Sequence, residues 1–207
     1  MPLELKICGI KSERIIKTIS KIGGCQYLGF VFYDKSPRNL SIEQSKKLTS
    51  IVPGNINKVA VLVNPENDFV EKIKDQFDLL QVYNTSPARV KELKLISNRK
   101  IIQAIKVKRS EDINIYKKYI GIADEFLFDS SGMEKSSAFN WDFLKNIEIK
   151  DWFLAGGINI GNLDKAKNIA QKIDISSSLE DNPGIKSIEK VKKFLFKVKE
   201  INENRTI

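Results

Sequence analysis

The sequence predicts an α/β fold, a single (β/α)8 TIM barrel, and three observations carry that prediction. Short apolar runs alternate with longer segments of helical period, which implies parallel strands joined by right-handed crossovers. Eight such units fit into 207 residues, the economy of a compact closed barrel. Polar or glycine-containing run ends recur every ~20–30 residues, as the rim of one barrel mouth requires. An open doubly wound sheet is the alternative, but no glycine-rich dinucleotide loop follows the first strand. One domain over residues 1–207 is expected, closing in a short disordered tail from about 203.

Each element has its own local reason. Leu3, Leu5 and Ile7 alternate with Glu4 and Lys6, the period of a strand, and Cys8 ends it. Ser12 is placed to cap a helix through about Ile22, with Ile15, Ile16 and Ile19 on one face, and Gly23-Gly24 stops it. Cys25 to Phe32 reads as strand two, followed by a polar loop from Tyr33 to Arg38. Ser41 caps a helix that ends before Pro53-Gly54, and Lys58 to Val63 is strand three, closed by Asn64-Pro65. A helix from about Glu66 to Phe77 leads to strand four, Asp78 to Val82, which ends at Tyr83-Asn84. Ser86-Pro87 starts the next helix, with proline in the first turn, where a missing N–H costs little.

Strand five is Lys100 to Ile105, and Ser110 caps a helix through about Tyr119. Strand six, Glu125 to Phe128, ends on Asp129. A polar stretch from Ser130 to Ser137 precedes Phe139-Asn140-Trp141 and a short helix. Strand seven, Trp152 to Ala155, meets Gly156-Gly157, and a helix follows to about Gln171. Strand eight, Ile173 to Ile175, ends in Ser176-Ser177-Ser178, and a last helix covers about Ser187 to Ile201.

Composition narrows the function classes. Hydrophobic residues at 42% with 29% charged are ordinary for a soluble globular chain. No segment approaches the ~18 consecutive apolar residues of a membrane span, and Glu4 and Lys6 interrupt any signal-peptide core. Cys8 and Cys25 lack metal-type spacing, so reduced thiols in a cytoplasm are expected. There is no histidine, which removes the commonest general base and metal ligand. The formal charge of +9 comes from lysines spread over nearly every helical segment. That reads as a solvated basic surface that favours a small anionic substrate rather than nucleic acid.

In such a barrel the chemistry gathers at the C-terminal strand ends. These collect Cys8, the Tyr33–Arg38 loop, Asn64, Tyr83, Lys106, Asp129, Gly156-Gly157 and Ser176-Ser177. Gly156 and Gly157 before a helix N-terminus, with Ser176, Ser177 and Ser178 beside them, suit a phosphate; singly they read as a tight turn and as caps. Asp129 is either an acid–base group or a cap or salt-bridge partner. Cys8 is either a base paired with Asp129 across the cavity or a buried apolar filler. Lys6 is expected to point away from Cys8, which leaves no group in view to favour the thiolate.

Several motifs carry a resemblance. They are KICGI (Lys6 to Ile10), LGFVFYDKSPR (Leu28 to Arg38), VAVLVN (Val59 to Asn64), LLQVY (Leu79 to Tyr83), LFD (Leu127 to Asp129), LAGGIN (Leu154 to Asn159) and DISSSLEDNPGIKS (Asp174 to Ser187). In this collinear order the chain resembles the phosphoribosylanthranilate isomerase family of tryptophan biosynthesis. The resemblance implies an Amadori rearrangement of N-(5-phosphoribosyl)anthranilate with no metal or organic cofactor. It makes Asp129 the acid that opens the ribose ring and Cys8 the base at C2′. Arg38 would pair with the anthranilate carboxylate, Gln81 and Tyr83 would lie on the substrate side, and Gly156, Gly157, Ser176, Ser177 and Ser178 would hold the phosphate. The implied partner is a small phosphosugar, with neither nucleic acid nor membrane, and the assembly a monomer or weak homodimer. Three departures stand out. Tyr83 replaces a usual histidine, Ser178 a usual glycine, and the glycine-rich loop before Phe139-Asn140-Trp141 is short, with Asn140 in place of aspartate. A barrel that binds a phosphosugar without turnover, or with altered specificity, is the alternative. A related isomerase of histidine biosynthesis would need paired aspartates where Cys8 stands.

Overall fold

Eight parallel strands close on themselves in a computed structural model that describes residues 2–130 and 139–204. In chain order they are β1 (Glu4–Cys8), β2 (Tyr27–Phe32), β3 (Asn57–Val63), β4 (Leu79–Tyr83), β5 (Lys100–Lys106), β6 (Glu125–Asp129), β7 (Trp152–Leu154) and β8 (Lys172–Ile175). Each pairs with its sequence neighbours and β8 closes on β1. The helices are α1 (Glu13–Ile22), α2 (Ile42–Thr49), α3 (Asn67–Ile73), α4 (Pro87–Ser97), α5 (Leu163–Ala166) and α6 (Ile188–Glu203). A small antiparallel hairpin, β9 (Glu180–Asn182) and β10 (Ile185–Lys186), lies between β8 and α6. The expected barrel is the fold found.

Two apolar layers explain why these runs become strands. Successive side chains of a strand face opposite sides. Leu3, Leu5 and Ile7 pack outward with Ile15, Ile16 and Ile19 of α1 and Phe194 and Leu195 of α6. Phe30 and Phe32 of β2 also face out, stacking edge-on or tilted against Phe77 and Phe69 at 5.3–5.8 Å. The inner layer holds Val31, Val59, Val61, Ile102, Leu127 and Phe153. Strands buried on both faces leave no solvated side for a polar residue, so any polar group on them must find a partner.

The helical boundaries depart from expectation where side chains capture backbone groups. Residues 110–119 form a 3₁₀ segment rather than an α-helix, and Ser110 does not cap it. The carboxylate of Asp112 accepts the N–H groups of Lys108 and Arg109 in its place. The helix expected from Glu66 stops at Ile73 and tightens into a 3₁₀ turn over Lys74–Gln76. After β7 the expected helix shrinks to α5. Asn159 and Asn162 tie up the preceding turn: their amides donate to the Gly157 carbonyl, and their oxygens accept from Gly161 and Asn159 N–H. Asparagine competes in this way with helical bonding. The short helix after Asn140 is 3₁₀ over Trp141–Asn146, with the Asn140 side chain accepting from Asp142 N–H. Strand two begins at Tyr27, leaving Cys25 before it, and the hairpin β9–β10 was not expected. Of the polar stretch 130–137 only Ser130 is among the described residues. Helix α6 runs to Glu203 with Asn204 at its end, and 205–207 lie outside the described residues.

The caps differ in kind. Ser41 and Gln44 form a reciprocal capping box on α2, whereas Ser12 makes no side-chain cap bond on α1. Ser41→Ala should therefore cost about 1 kcal/mol of unfolding free energy. Ser12→Ala should stay within about 0.5 kcal/mol of the parent chain. Urea denaturation of the two variants side by side checks the contrast.

Candidate active site

At the C-terminal mouth of the barrel a cavity is lined by Cys8, Arg38, Tyr83, Asp129, Gly156, Gly157, Ser176 and Ser177, together with Asp174 and Glu180. Residues from six parts of the chain that the sequence singled out thus meet in one place. Asn64 and Lys106 are exposed and do not line it. Gln81 is fully buried beneath the mouth, and the Ser178 hydroxyl donates to the Ile158 carbonyl at 2.6 Å, so neither side chain forms the wall.

Lys6 corrects the sequence reading. Because β1 is buried on both faces, the residue alternating with Leu5 and Ile7 points into the barrel, not to solvent. Lys6 is 0% exposed, and its Nζ lies 3.0 Å from Asp174 Oδ1, its register partner on β8. Burial works against the ammonium, but the charges of Asp174 and Cys8 outweigh it and hold Lys6 above its ordinary value. The ammonium form of Lys6 is thus favoured beside Cys8, while at Asp174 burial outweighs the pull of Lys6 and Lys186 and pushes the carboxyl up. Burial is also the main influence on Cys8, pushing the thiol up, with Asp174 adding to it. Lys6, Lys186 and Arg38 pull the other way without reversing the shift. The resting group is a thiol with three cations poised to favour its conjugate base.

Missing side chains make room for this arrangement. A Cβ on Gly29 would sit 2.8 Å from Cys8 Sγ and 3.1 Å from Lys6 Nζ. One on Gly9, which has φ +78°, would lie 2.4 Å from the Arg38 stem. Arg38 itself is fixed by a bidentate bond, with Nε and Nη2 donating to the two Glu180 oxygens at 2.7 and 2.8 Å. Glu180 also accepts from Lys186 Nζ at 3.2 Å and Gly184 N–H at 3.1 Å. Burial pushes Glu180 up, yet Arg38, Lys186 and the Gly184 N–H more than reverse it and hold the carboxyl low. Burial lowers Lys186.

On the opposite wall, Asp129 Oδ2 accepts from the Tyr83 hydroxyl at 3.3 Å, and that oxygen accepts from Gln81 Nε2 at 3.1 Å. Burial first, then the charges of Asp129, Asp174 and Cys8, push the Tyr83 phenol well above its ordinary value. Gly156 and Gly157 have φ of +82° and +70°, a left-handed conformation that suits glycine. A Cβ on Gly156 would meet Ser130 Oγ at 2.6 Å and Asp129 Oδ1 at 3.0 Å. The helix expected directly after the glycines begins only at Leu163, so their own N–H groups are what remains to offer an anion. Ser176 donates to the Cys8 carbonyl at 3.0 Å, and Ser177 opens a 3₁₀ turn over Ser177–Leu179. Among the described residues no group of three or more His, Cys, Asp or Glu side chains could hold a metal ion. No helix among them is long and apolar enough to cross a membrane.

Sequence reasoning passed over Lys6, Asp174, Glu180 and Lys186 as site residues. The available signal was a polar residue at an inward position of a strand that is otherwise apolar on both faces.

Comparison with known proteins converges on one family. The family model described as N-(5'phosphoribosyl)anthranilate (PRA) isomerase matches residues 5–197. An N-(5'-phosphoribosyl)anthranilate isomerase from a Chelativorans species is 34% identical over 96% of this chain and 97% of its own. One from Rhizobium rhizogenes is 35% identical over 95% and 94%. The solved phosphoribosyl anthranilate isomerase of Thermotoga maritima superposes with a TM-score of 0.87 over 96% of this chain and 99% of its own, at 24% identity. A phosphoribosyl anthranilate isomerase structure holding reduced 1-(o-carboxyphenylamino)-1-deoxyribulose 5-phosphate gives 0.82 at 23% identity, with the same two coverages.

The buried Lys6–Asp174 pair should behave as a unit. Lys6→Met leaves a carboxylate stranded in the barrel and is expected to cost ~3–5 kcal/mol. Adding Asp174→Leu should restore most of that loss. Guanidinium unfolding of the single and double variants reads the difference.

Proposed function

The chain belongs to the N-(5'-phosphoribosyl)anthranilate isomerase family, and on that premise we propose that Cys8 is the base and Asp129 the acid of its reaction. The protein is an isomerase of tryptophan biosynthesis. The observation that supports the residue roles is the meeting of a thiol, a carboxyl group and paired left-handed glycines around one cavity.

The steps follow from proton movements. Asp129 gives its proton to the ribose ring oxygen while the anthranilate nitrogen lone pair forms a double bond to C1′, and the C1′–O bond breaks. Cys8, once its thiol proton has passed to solvent, then removes the C2′ proton as a thiolate; those electrons form the C1′=C2′ bond while the C1′=N pair returns to nitrogen, giving an enolamine. Loss of the 2′-hydroxyl proton and protonation of C1′ give the ketone. No electrons leave the substrate, so the reading calls for no redox cofactor. Lys6 stands where it favours the thiolate during the second step.

Binding falls to the rim. The phosphate is assigned to the N–H groups of Gly156 and Gly157 and to Ser176 and Ser177. Ser178 takes part through its backbone, because its hydroxyl is bonded to Ile158. Arg38 is assigned to the anthranilate carboxylate. Its Nε and Nη2 are held by Glu180, so the ligand meets Nη1 of a guanidinium already fixed in its plane. The reading extends to a single barrel over 1–207 acting in the cytoplasm as a monomer or weak homodimer. Its two unbridged cysteines are in keeping with a reducing compartment.

Loss of the fluorescence of the anthranilate adduct on adding the protein measures turnover. Cys8→Ser and Asp129→Asn should each lower kcat ~10²–10⁴-fold without unfolding the barrel; near-normal rates in either variant would reject its role. Arg38→Ala should raise KM more than it lowers kcat, and an unchanged KM would remove the carboxylate contact. Tight binding of the product analogue without turnover by the parent chain would favour a binding-only barrel. The thiol is tested directly by alkylation. Cys8 modification by iodoacetamide, followed by mass spectrometry, should accelerate with pH to an alkaline midpoint above that of an ordinary thiol. Lys6→Met, which removes a cation that favours the thiolate, should move the midpoint further up.

A further inference from the structure

We propose that Tyr83 is a positioning residue for Asp129: its hydroxyl holds Oδ2 of the carboxyl group, so that Oδ1, beside Gly156, is the oxygen that carries the proton to the substrate. The inference rests on Asp129 being the acid, as proposed above, and reassigns Tyr83 from the substrate side to the catalytic group. Three observations carry it. The phenol is 8% exposed and its oxygen lies 3.3 Å from Asp129 Oδ2 with the geometry of a donor. Gln81 Nε2, 3.1 Å away on the same strand, donates to that oxygen, and a phenol that accepts from an amide has its one proton left for Asp129. Of the two carboxyl oxygens of Asp129, Oδ1 is the one nearer the Cβ that Gly156 lacks, 3.0 Å from it, on the side where the phosphate loop meets the cavity.

The relay is one-directional. The groups facing the phenol are Asp129 from β6, Asp174 from β8 and Cys8 from β1, all of which disfavour a phenolate. Tyr83 therefore stays a neutral donor through the cycle. It takes no proton from Asp129 and gives none up, and what it supplies is a fixed torsion for the carboxyl group. Fixing a catalytic group matters because misplacement by about 1 Å can cost ~10²-fold in rate. A donated hydrogen bond also favours the carboxylate left after proton delivery. Gln81 is in turn the group that orients the phenol, which gives a fully buried glutamine, away from the cavity wall, a function.

Tyr83→Phe removes the hydroxyl and keeps the ring. Its kcat should fall about 10–100-fold with KM within about twofold, since a charge-assisted hydrogen bond is lost at a group that reacts rather than one that binds. In protein labelled with 13C at aspartate carboxyls, the titration midpoint of Asp129 should move up by about one pH unit, because the carboxylate loses a donor. Asp129→Asn supplies the signal assignment and the control. If Asp129→Asn loses turnover while Tyr83→Phe keeps both kcat and the midpoint, this inference fails and the acid assignment survives. If Asp129→Asn turns over normally, the acid assignment itself fails. A raised KM at constant kcat in Tyr83→Phe would make Tyr83 a substrate contact and overturn the proposal. Should Tyr83→Phe not fold, Gln81→Leu reads the same relay one step back. It should lower kcat severalfold at constant KM, and an unchanged kcat there would count against the proposal.

Discussion

The Lys6–Asp174 pair is the interaction on which the rest of the mouth depends. It joins the first strand to the last, at the seam where the barrel closes, and both partners sit at inward positions of strands buried on both faces. Removing two charges from water is costly, and replacement of such a pair by apolar residues is often neutral or stabilising. Closure alone could have been met by valine and leucine, as it is elsewhere in the inner layer. The charges do something an apolar pair could not: they place an ammonium against the Cys8 thiol and a carboxylate behind it. The N-terminal end of the barrel has a comparable pair, Lys172 with Glu125 at 2.9 Å. It lies at the opposite ends of the strands from the cavity.

A second ionic centre works on different principles. Glu180 receives Arg38, Lys186 and the Gly184 N–H through its side chain, and Lys190 Nζ through its carbonyl. It therefore ties the loop after β2 to the hairpin and to α6. The hairpin can lie that close because Gly184, at φ +81°, has no side chain; a Cβ there would be 2.4 Å from the Pro37 carbonyl oxygen. Fixing the guanidinium before a ligand arrives lowers the ordering cost of binding, and the planar fork keeps donors in reserve when one edge is used. The two centres share Cys8 as neighbour, since Lys6 and Asp174 act on it from below and Lys186 and Arg38 from above.

The barrel was legible because its signals are repetitive. Eight apolar runs, their terminal Gly, Asn, Asp and Ser residues and the collinear motifs all point one way, and errors of a few residues at each boundary leave the topology unchanged. The placement of Cys8 and Asp129 at one cavity was legible for the same reason, since both stand at strand ends. What escaped notice was set by contacts between strands distant in sequence. Lys6 looks like the solvent face of an alternating strand until β8 and β2 are placed beside it. Residues 110–119 have a helical pattern, yet Asp112 captures the first N–H groups and the segment winds as 3₁₀. The turn after Gly157 has enough helix formers, but Asn159 and Asn162 bind its backbone. In each case a side chain outbids a local propensity, and neither periodicity nor composition records that.

The two walls of the cavity divide the electrostatic labour. Cys8 has cations for neighbours, and they oppose without reversing the upward push of burial on its thiol. Asp129 accepts from a neutral phenol and lies close to Gly156, contacts that orient its carboxyl group. The lack of histidine makes this division sharper. An imidazole between the two would titrate near neutrality and couple them, whereas a phenol held well above its ordinary value does not. On the proposed assignment, the base and the acid would change protonation in sequence, each answering to its own neighbours, while Arg38 and the glycine N–H groups would hold the two anionic ends of the substrate apart.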